Sequence, residues 1–522
     1  MKSQELPIIF QHYPEDSALF HTERDFLWET KYKVELQQSV DGAITALGLD
    51  KPWEELHGDP VKEALANAIW STTLACNGPK LDAATLVTLN KERFGPNYVE
   101  HVDGSHFTSN HLSVSGALKP MGSEGQSIAG PAMIHHMPTF ATQEHGKPTI
   151  GDISPITLVK QDGAFILSLV TPNGHTWQKQ FDVLPAAVFT TEMVGTGMDK
   201  EPMKAIASPC VSTFQVTILR PTCQEHCTMC TVTKGDGFVS ESYKEKVSQV
   251  LDVLIDHSAM AKHAFQQSLS GGTISSGDGG FSTAHAWALE MIAEKVAHAE
   301  QMYGHKVKVH LQLEIVLPPD KSTWKPILQK LNSYIQKGWK ISLAVNIEIL
   351  HDQWEGIFLQ GAAKGASTVA DHLTFAKMLS EVTNGKIQMN SLVMFGLKPS
   401  SMSYSSYLSS DLAVLKKLIT AGIKPDYQPV KIESGTKVEA YPPPNPMYLL
   451  LQDLALKYMI AKAKLPWSPG CVGSCNACDQ SAETKALLIA AKKQGIAIPE
   501  LVGPLLDKLG VAYKQAFEEV FI

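Results

Sequence analysis

The stretch Val307-Lys308-Val309-His310-Leu311-Gln312-Leu313-Glu314-Ile315-Val316 reads as a β-strand, because apolar and β-branched residues dominate a run of strand length. An amphipathic segment, Lys321 to Lys337, follows it, and then comes a second apolar run, Lys340 to Leu350. Strand, helix, strand in that order implies parallel pairing through a right-handed crossover. The alternation continues in both directions. Upstream, strands are expected at Thr213 to Leu219 and Ala264 to Leu269, with helices at Ser242 to Lys262 and Ala284 to Tyr303. Downstream, strands are expected at Lys386 to Phe395 and Lys424 to Lys431, with helices at Ala363 to Leu379 and Ser409 to Ala421. Such a unit curls into a barrel or opens into a doubly wound sheet. In either, loops at the C-terminal ends of the strands carry the chemistry.

On either side of this unit the pattern changes. Residues 25–75 read as mostly helical, and Ile156 to Phe189 as hairpins turned at Gln161-Asp162-Gly163 and Pro172-Asn173-Gly174. After Pro442-Pro443-Pro444 come a helix over Met447 to Ala463, a Pro/Gly loop, and two more helices near 480–494 and 500–519. Three domains are therefore expected: an N-terminal α+β accessory domain (1–205), the α/β unit (206–440) and a C-terminal helical domain (441–522).

The chain has 522 residues, 44% of them hydrophobic and 19% charged, which suits a packed globular protein and not a disordered one. Its 45 Lys+Arg against 53 Asp+Glu give a net charge of −8 without a basic stripe, so nucleic acid is a poor first partner. The apolar stretch from Tyr448 to Leu465 is broken by Gln452, Asp453 and Lys457, and the start at Met1 leads into only a short apolar patch. A cytoplasmic protein without a signal peptide or membrane span is expected.

Eight cysteines are too few for a disulfide scaffold, yet six of them form two triplets with one spacing, Cys-x3-Cys-x2-Cys. The first, Cys223, Cys227 and Cys230, falls directly after the first expected strand of the α/β unit. Three thiolates so close together suit three irons of a [4Fe–4S] cube and leave a fourth iron without a protein ligand. The second, Cys471, Cys475 and Cys478, lies in the Pro/Gly loop between helices. Zinc is the rival reading for both, with His226 or a distant residue as fourth ligand of the first, although each triplet offers one Cys-x2-Cys without the second pair usual for zinc and no histidine follows His372 to complete the second. His101, His106 and His111 recur every five residues, a spacing that fits neither one helix face nor one strand face and reads as a surface loop.

On Cys223, Cys227 and Cys230 after the first strand, and on the βα alternation that follows, the chain resembles the radical S-adenosylmethionine superfamily. The resemblance implies a partial (βα)6 TIM-like barrel, a catalytic [4Fe–4S] cluster, and S-adenosyl-L-methionine chelating the open iron. It further implies an external electron donor such as flavodoxin or ferredoxin and a small-molecule or peptide substrate. A second iron–sulfur cluster is expected on Cys471, Cys475 and Cys478, with Cys76, Cys210, Asp479 or a bound ligand as fourth contact. The resemblance departs from the family in three places. Met229 stands where an aromatic residue often lies against adenine. Ser270, Gly271, Gly272 and Thr273 replace the family's Gly-Gly-Glu in receiving the methionine ammonium, and a phosphate loop, their rival reading, lacks its Gly-Lys-Ser/Thr ending. The strand Ile387 to Phe395, ending at Gly396, matches the adenine-contacting strand only as an apolar run.

Family position suggests ribose or carboxylate contacts for Glu314 and Asn346. Asn346 and Glu348, at alternate positions of one expected strand, would share a face. The competing reading of these three is a buried ion pair or a strand end facing solvent. Hydrogen abstraction with oxidation, crosslinking, rearrangement or elimination, sulfur insertion, and a metallocluster-assembly scaffold all remain open outcomes.

Overall fold

The structure is a computed structural model that describes residues 27–94, 117–120, 132–133, 141–144, 147–150, 154–183, 192–197, 199–203, 206–209, 214–219, 227, 240–271, 283–351, 367–398, 402–430, 444–465 and 482–522. The histidines at 101, 106 and 111 lie outside these residues.

The N-terminal region begins with helices α1 (Leu27–Ala46), α2 (Trp53–Leu56), α3 (Pro60–Asn77) and α4 (Ala83–Phe94). Asp59 starts α3 by accepting from the backbone N–H groups of Val61 and Lys62, with Pro60 at the first helical position, where a missing donor costs nothing. Strands β1 (Leu81–Asp82), β5 (Lys147–Ile150) and β4 (Ala141–Glu144) form one small sheet in that order. A second, five-stranded antiparallel sheet has the order β3 (Ala132–Met133), β2 (Ala117–Pro120), β8 (Thr176–Val183), β7 (Ala164–Val170) and β6 (Ile156–Gln161). Both hairpins expected between 156 and 189 are present. In the first, Asp162 (φ 50°) and Gly163 (φ 85°) make the two-residue left-handed turn that suits twisted strands. Two short strands, β9 (Met193–Val194) and β10 (Glu201–Pro202), pair with each other on the way out.

The α/β unit is a seven-stranded sheet. Its strands are β11 (Ala207–Pro209), β12 (Phe214–Leu219), β13 (Phe265–Gly271), β14 (Val309–Ile315), β15 (Lys340–Val345), β16 (Gln388–Phe395) and β17 (Ile423–Pro429), side by side in sequence order. The last six are mutually parallel; β11, which the sequence did not signal, adds antiparallel to β12. Between the parallel strands run α5 (Glu241–Met260), α6 (Thr283–Tyr303), α7 (Trp324–Gln336), α8 (Val369–Thr383) and α9 (Tyr404–Thr420). The order contains no reversal, so there is no switch point of the doubly wound kind. Parallel crossovers are almost always right-handed, so a sequential order places the connecting helices on one face of the sheet.

That helix-covered face is apolar. Leu311, Leu313 and Ile315 of β14, Ile341, Leu343 and Val345 of β15, and Val393 and Phe395 of β16 are all buried. Each such side chain contributes roughly 2 kcal/mol of transfer free energy. The helices meet it with matching stripes: Val247, Val250, Leu251 and Leu254 on α5, and Phe375, Ala376 and Leu379 on α8. Helix α8 opens with a capping box between Thr368 and Asp371, and the Lys321 ammonium beside Asp371 holds that carboxyl down at about 2.

Several boundaries differ from expectation, and two have a clear local cause. The strand expected over Lys340 to Leu350 ends at Val345, because Glu348 adopts a left-handed backbone (φ 62°) and rejoins β16 only through an isolated bridge to Val393. Helix α9 begins at Tyr404, five residues before expectation, since Ser403 caps it by accepting from the Ser406 N–H.

The C-terminal helices are α10 (Pro446–Ala463), α11 (Ala482–Gln494), α12 (Ile498–Leu501), α13 (Gly503–Leu509) and α14 (Val511–Phe521). Helix α10 is buried along most of its length, packed by α3, α9, α11 and α14 and lying against β17 at the sheet edge. The chain returns closely at one point: a Cβ on Gly396 would lie 2.5 Å from Pro444, and with φ at 107° this position needs glycine. No described helix is long and apolar enough to cross a membrane.

Candidate functional site

The alternation of a β-strand puts every second residue on the face opposite the helices, and here that face is polar. Register assigns its members. Ser268 pairs with Gln312, Gln312 with Ser342, and Ser342 with Gln388. In the next row Glu314 pairs with Ala344, Ala344 with Asn390, and Asn390 with Lys424. Asp426 follows Lys424 on the same face of β17, and Ser270 follows Ser268 on β13. Two rows of polar side chains, with a single methyl at Ala344, thus cross four or five strands.

Hydrogen bonds tie the rows together. The Ser268 hydroxyl donates to Glu314 Oε1 at 2.9 Å. Asn390 Nδ2 donates to Gln312 Oε1 at 3.3 Å, reaching past the small residues of β15. Asn390 is 1% exposed, and its Oδ1 has no hydrogen-bond partner. At the β17 edge the Lys424 ammonium stands 3.6 Å from Asp426 Oδ1. Burial raises the Asp426 carboxyl, and Lys424 and Lys457 act against that rise.

Several expected residues stand at or near strand ends. Leu219, the last residue of β12 and four positions before Cys223, pairs with Gly271 at the end of β13. Cys227 is buried, at 4% exposure, and Ser270 is buried on the polar face. Glu314 is the penultimate residue of β14, its carboxylate held by Ser268 and its backbone carbonyl accepting from His285 Nε2 at 3.0 Å. A carbonyl cannot donate, so His285 carries its proton on Nε2; full burial on α6 lowers its pKa to about 4 and keeps the ring neutral.

Asn346 and Glu348 do not sit on an extended strand as expected. The Asn346 Oδ1 accepts from the Leu392 N–H at 3.1 Å, and Ser391 Oγ accepts from the Ile347 N–H at 2.9 Å. Glu348 then makes two backbone bonds to β16, donating to the Leu392 carbonyl and accepting from the Met394 N–H. Side chains replace two ladder bonds and turn the backbone, so the argument from alternate strand positions fails for this pair. Glu348 is buried in the resulting left-handed kink, a conformation that costs a non-glycine residue on the order of 1 kcal/mol.

Met229, Gly272, Thr273, Cys223, Cys230, Cys471, Cys475 and Cys478 lie outside the described residues. Among the described residues no group of three His, Cys, Asp or Glu side chains could hold a metal ion. The sequence reading missed Ser268, Gln312, Asn390, Lys424, Asp426 and His285. A signal existed for the first five: Ser268/Ser270, Gln312/Glu314, Gln388/Asn390 and Lys424/Asp426 each place polar residues two apart in a strand. For His285, on the buried stripe of a helix, there was none.

No protein-family model matches the chain, and no curated protein matches it.

Proposed function

We propose that the chain is a radical S-adenosylmethionine enzyme whose six parallel strands form the partial (βα)6 barrel of that family, the polar face lining its interior. The observation that carries this reading is the pairing of Leu219 with Gly271: the strand that precedes Cys223, Cys227 and Cys230 in the sequence ends directly beside the strand that precedes Gly272 and Thr273. The residues present fit the cofactors in kind. Cys227, eight positions after the end of β12, is buried, and the polar face of the sheet carries hydroxyl, amide and carboxylate groups suited to a ligand rich in O–H and N–H donors. When bound, a [4Fe–4S] cluster with S-adenosylmethionine supplies reductive cleavage of the sulfonium and hydrogen-atom abstraction from the substrate.

The chain's own residues hold and shield. Cys223, Cys227 and Cys230 supply the three thiolates. The backbone carbonyls of 270–273 would accept the methionine ammonium, with Thr273 as a side-chain partner, and Met229 would supply the apolar contact to adenine. Glu314 accepts from the ribose hydroxyls; the Ser268 bond fixes its carboxylate, and the His285 bond fixes the strand end that carries it. Asn346 spends its oxygen on the Leu392 N–H, which leaves its Nδ2 as a donor to a carboxylate. The helix-covered face keeps water from one side of the sheet.

Cys471, Cys475 and Cys478 hold a second iron–sulfur cluster. Its task is to anchor substrate, relay an electron, donate sulfur or brace the C-terminal helices. The substrate is a small molecule or a peptide, and a flavodoxin or ferredoxin type of protein delivers the electron.

The test is reconstitution without oxygen, addition of dithionite and S-adenosylmethionine, and detection of 5′-deoxyadenosine. Formation of the nucleoside supports the reading. Its absence, with iron and sulfide passing to an acceptor, identifies a cluster-assembly scaffold. Loss of the second cluster's absorbance in step with product identifies sulfur insertion.

A further inference from the structure

A cleft of about 450 Å³ opens between α8 and α9, and the reading above gives it no task. Its size falls in the range, roughly 300–1,000 Å³, that accepts a small organic molecule. Leu350 and His351, just past the left-handed kink at Glu348, line it from the loop after β15. Val369 and Leu373, one turn apart, line it from α8, and Val414 and Lys417, also one turn apart, line it from α9.

Asp411, one turn before Val414 on α9, orients the polar group of this cleft. It accepts from His351 Nε2 at 2.7 Å on one oxygen and from the Tyr427 hydroxyl on the other. The His351 ring is 9% exposed and packs beside Tyr407, with ring centroids 5.3 Å apart. Nε2 being spent on Asp411, Nδ1 is the nitrogen left over, and no described residue bonds it. Nearly buried polar atoms rarely stand without a partner, so the cleft calls for a hydrogen-bond donor at this point.

The other side of the cleft calls for an acceptor. Val369 and Ala370 are the first two residues of α8, the capping box spends Thr368 on the Asp371 N–H, and no described residue accepts from theirs. The positive end of a 15-residue helix thus stands at the cleft. Lys417 is exposed and forms no ion pair with a described residue. The carboxylates nearby are already engaged, Asp371 by Lys321 at 2.6 Å and Asp411 by its two donors.

We infer that this cleft binds a small organic acid, a carboxyl group on an apolar body. A carboxyl group meets both needs: its proton is shared with His351 Nδ1, and its oxygens accept from Lys417 and the first N–H groups of α8. Leu350, Leu373 and Val414 take the apolar body. Because such an acid is a carboxylate in neutral solution, binding takes up one proton from solvent, held between the carboxylate and Nδ1 while Nε2 stays on Asp411. The charged and titratable groups around the ring are Tyr407, Asp411 and Lys417 on α9, Tyr427 on β17 and Asp371 on α8. The site uses none of the residues proposed above to hold the clusters or S-adenosylmethionine, and it does not rest on that reading.

Benzoate, acetate and benzyl alcohol are the probes, titrated into the full chain by calorimetry at neutral pH. Benzoate should bind at least about tenfold more tightly than acetate, which has no ring to bury, and than benzyl alcohol, which has no charged acceptor. The heat of benzoate binding should differ between phosphate and Tris buffers by the uptake of about one proton. In protein carrying ¹⁵N-labelled histidine, the Nδ1 resonance that His351→Gln removes should move with benzoate and stay put with chloride.

Val414→Asp puts a carboxylate on the cleft wall at a half-buried position and should weaken benzoate at least about tenfold. Lys417→Met, at an exposed position that tolerates change, should weaken it about three- to fivefold, and Lys417→Arg should retain it. Benzoate binding no tighter than benzyl alcohol, a heat that does not depend on the buffer, or tight binding that survives Val414→Asp overturns the site. The titrations need neither cluster nor S-adenosylmethionine. Benzoate binding without deoxyadenosine formation therefore overturns only the chemistry proposed above, and deoxyadenosine formation without benzoate binding overturns only this site.

Discussion

The two faces of the parallel sheet use polar groups in opposite ways. Toward the helices, Asp411 of α9 accepts from His351 Nε2 at 2.7 Å and from the Tyr427 hydroxyl at 2.5 Å, while the Tyr407 hydroxyl accepts from the Gly396 N–H at 3.0 Å. His285 is spent on a backbone carbonyl. These contacts fasten helix to strand, and burial raises both the Asp411 carboxyl and the Tyr427 hydroxyl above their usual ranges. On the other face, Ser268, Glu314, Gln312 and Asn390 bond one another across strands, and Asn390 keeps an acceptor in hand. Bonds across strands mark one face and bonds from helix to strand the other, the first proposed to bind and the second to hold.

The largest expected effect lies at the binding face. Cys227→Ala should lower 5′-deoxyadenosine formation by at least about a hundredfold, measured under single-turnover conditions. Retained activity would end the assignment of that loop.

On the holding face, Asp411→Ala leaves His351 and Tyr427 without their shared acceptor. It should cost about 3–5 kcal/mol in denaturant unfolding. A loss below 1 kcal/mol would blur the contrast between the faces.

His285 gives the holding face a pH signature. The unfolded chain protonates this ring near 6.5, whereas the folded chain keeps it neutral down to about 4. Its contribution is therefore complete above pH 6.5, declines as the pH falls below it, and is fully lost near pH 4, a change on the order of 3 kcal/mol. His285→Gln should flatten stability over that window, as read from unfolding midpoints in a pH series. An unchanged slope would place the ring in water.

The smallest effect on the fold belongs to Glu314→Gln. It keeps the shape of the side chain and should shift unfolding by less than about 1 kcal/mol, while weakening S-adenosylmethionine binding about tenfold by equilibrium titration. Equal losses of stability and binding would move Glu314 to the holding side.

All six parallel strands and the five helices between them were legible in the sequence, because β-branched runs and amphipathic stretches alternate over more than 200 residues. The break after Val345 was not. Ile347 and Ile349 continue the strand pattern, and only the bonds from Leu392 to Asn346 and from Ile347 to Ser391, across to another strand, bend the backbone there. Strand β11 escaped for the same reason: three residues hold no periodicity, and β12 supplies their pairing.

Within the candidate site, Glu314, Ser270 and Gly271 could be named as polar or glycine positions at the ends of apolar strands. That Glu314, Ala344, Asn390 and Lys424 stand in one row depends on the register of four strands. That Asp453 and Lys457 approach Lys424 depends on where α10 comes to rest.

The sequence by itself determined what is local: the alternation of strands and helices, the spacing of six cysteines, and the glycines that follow the second strand. Tertiary structure alone decided which polar groups meet. Period and spacing act between residues close in the chain, whereas hydrogen bonds and charges act across a few ångströms of space, and pairing between distant strands sets those distances.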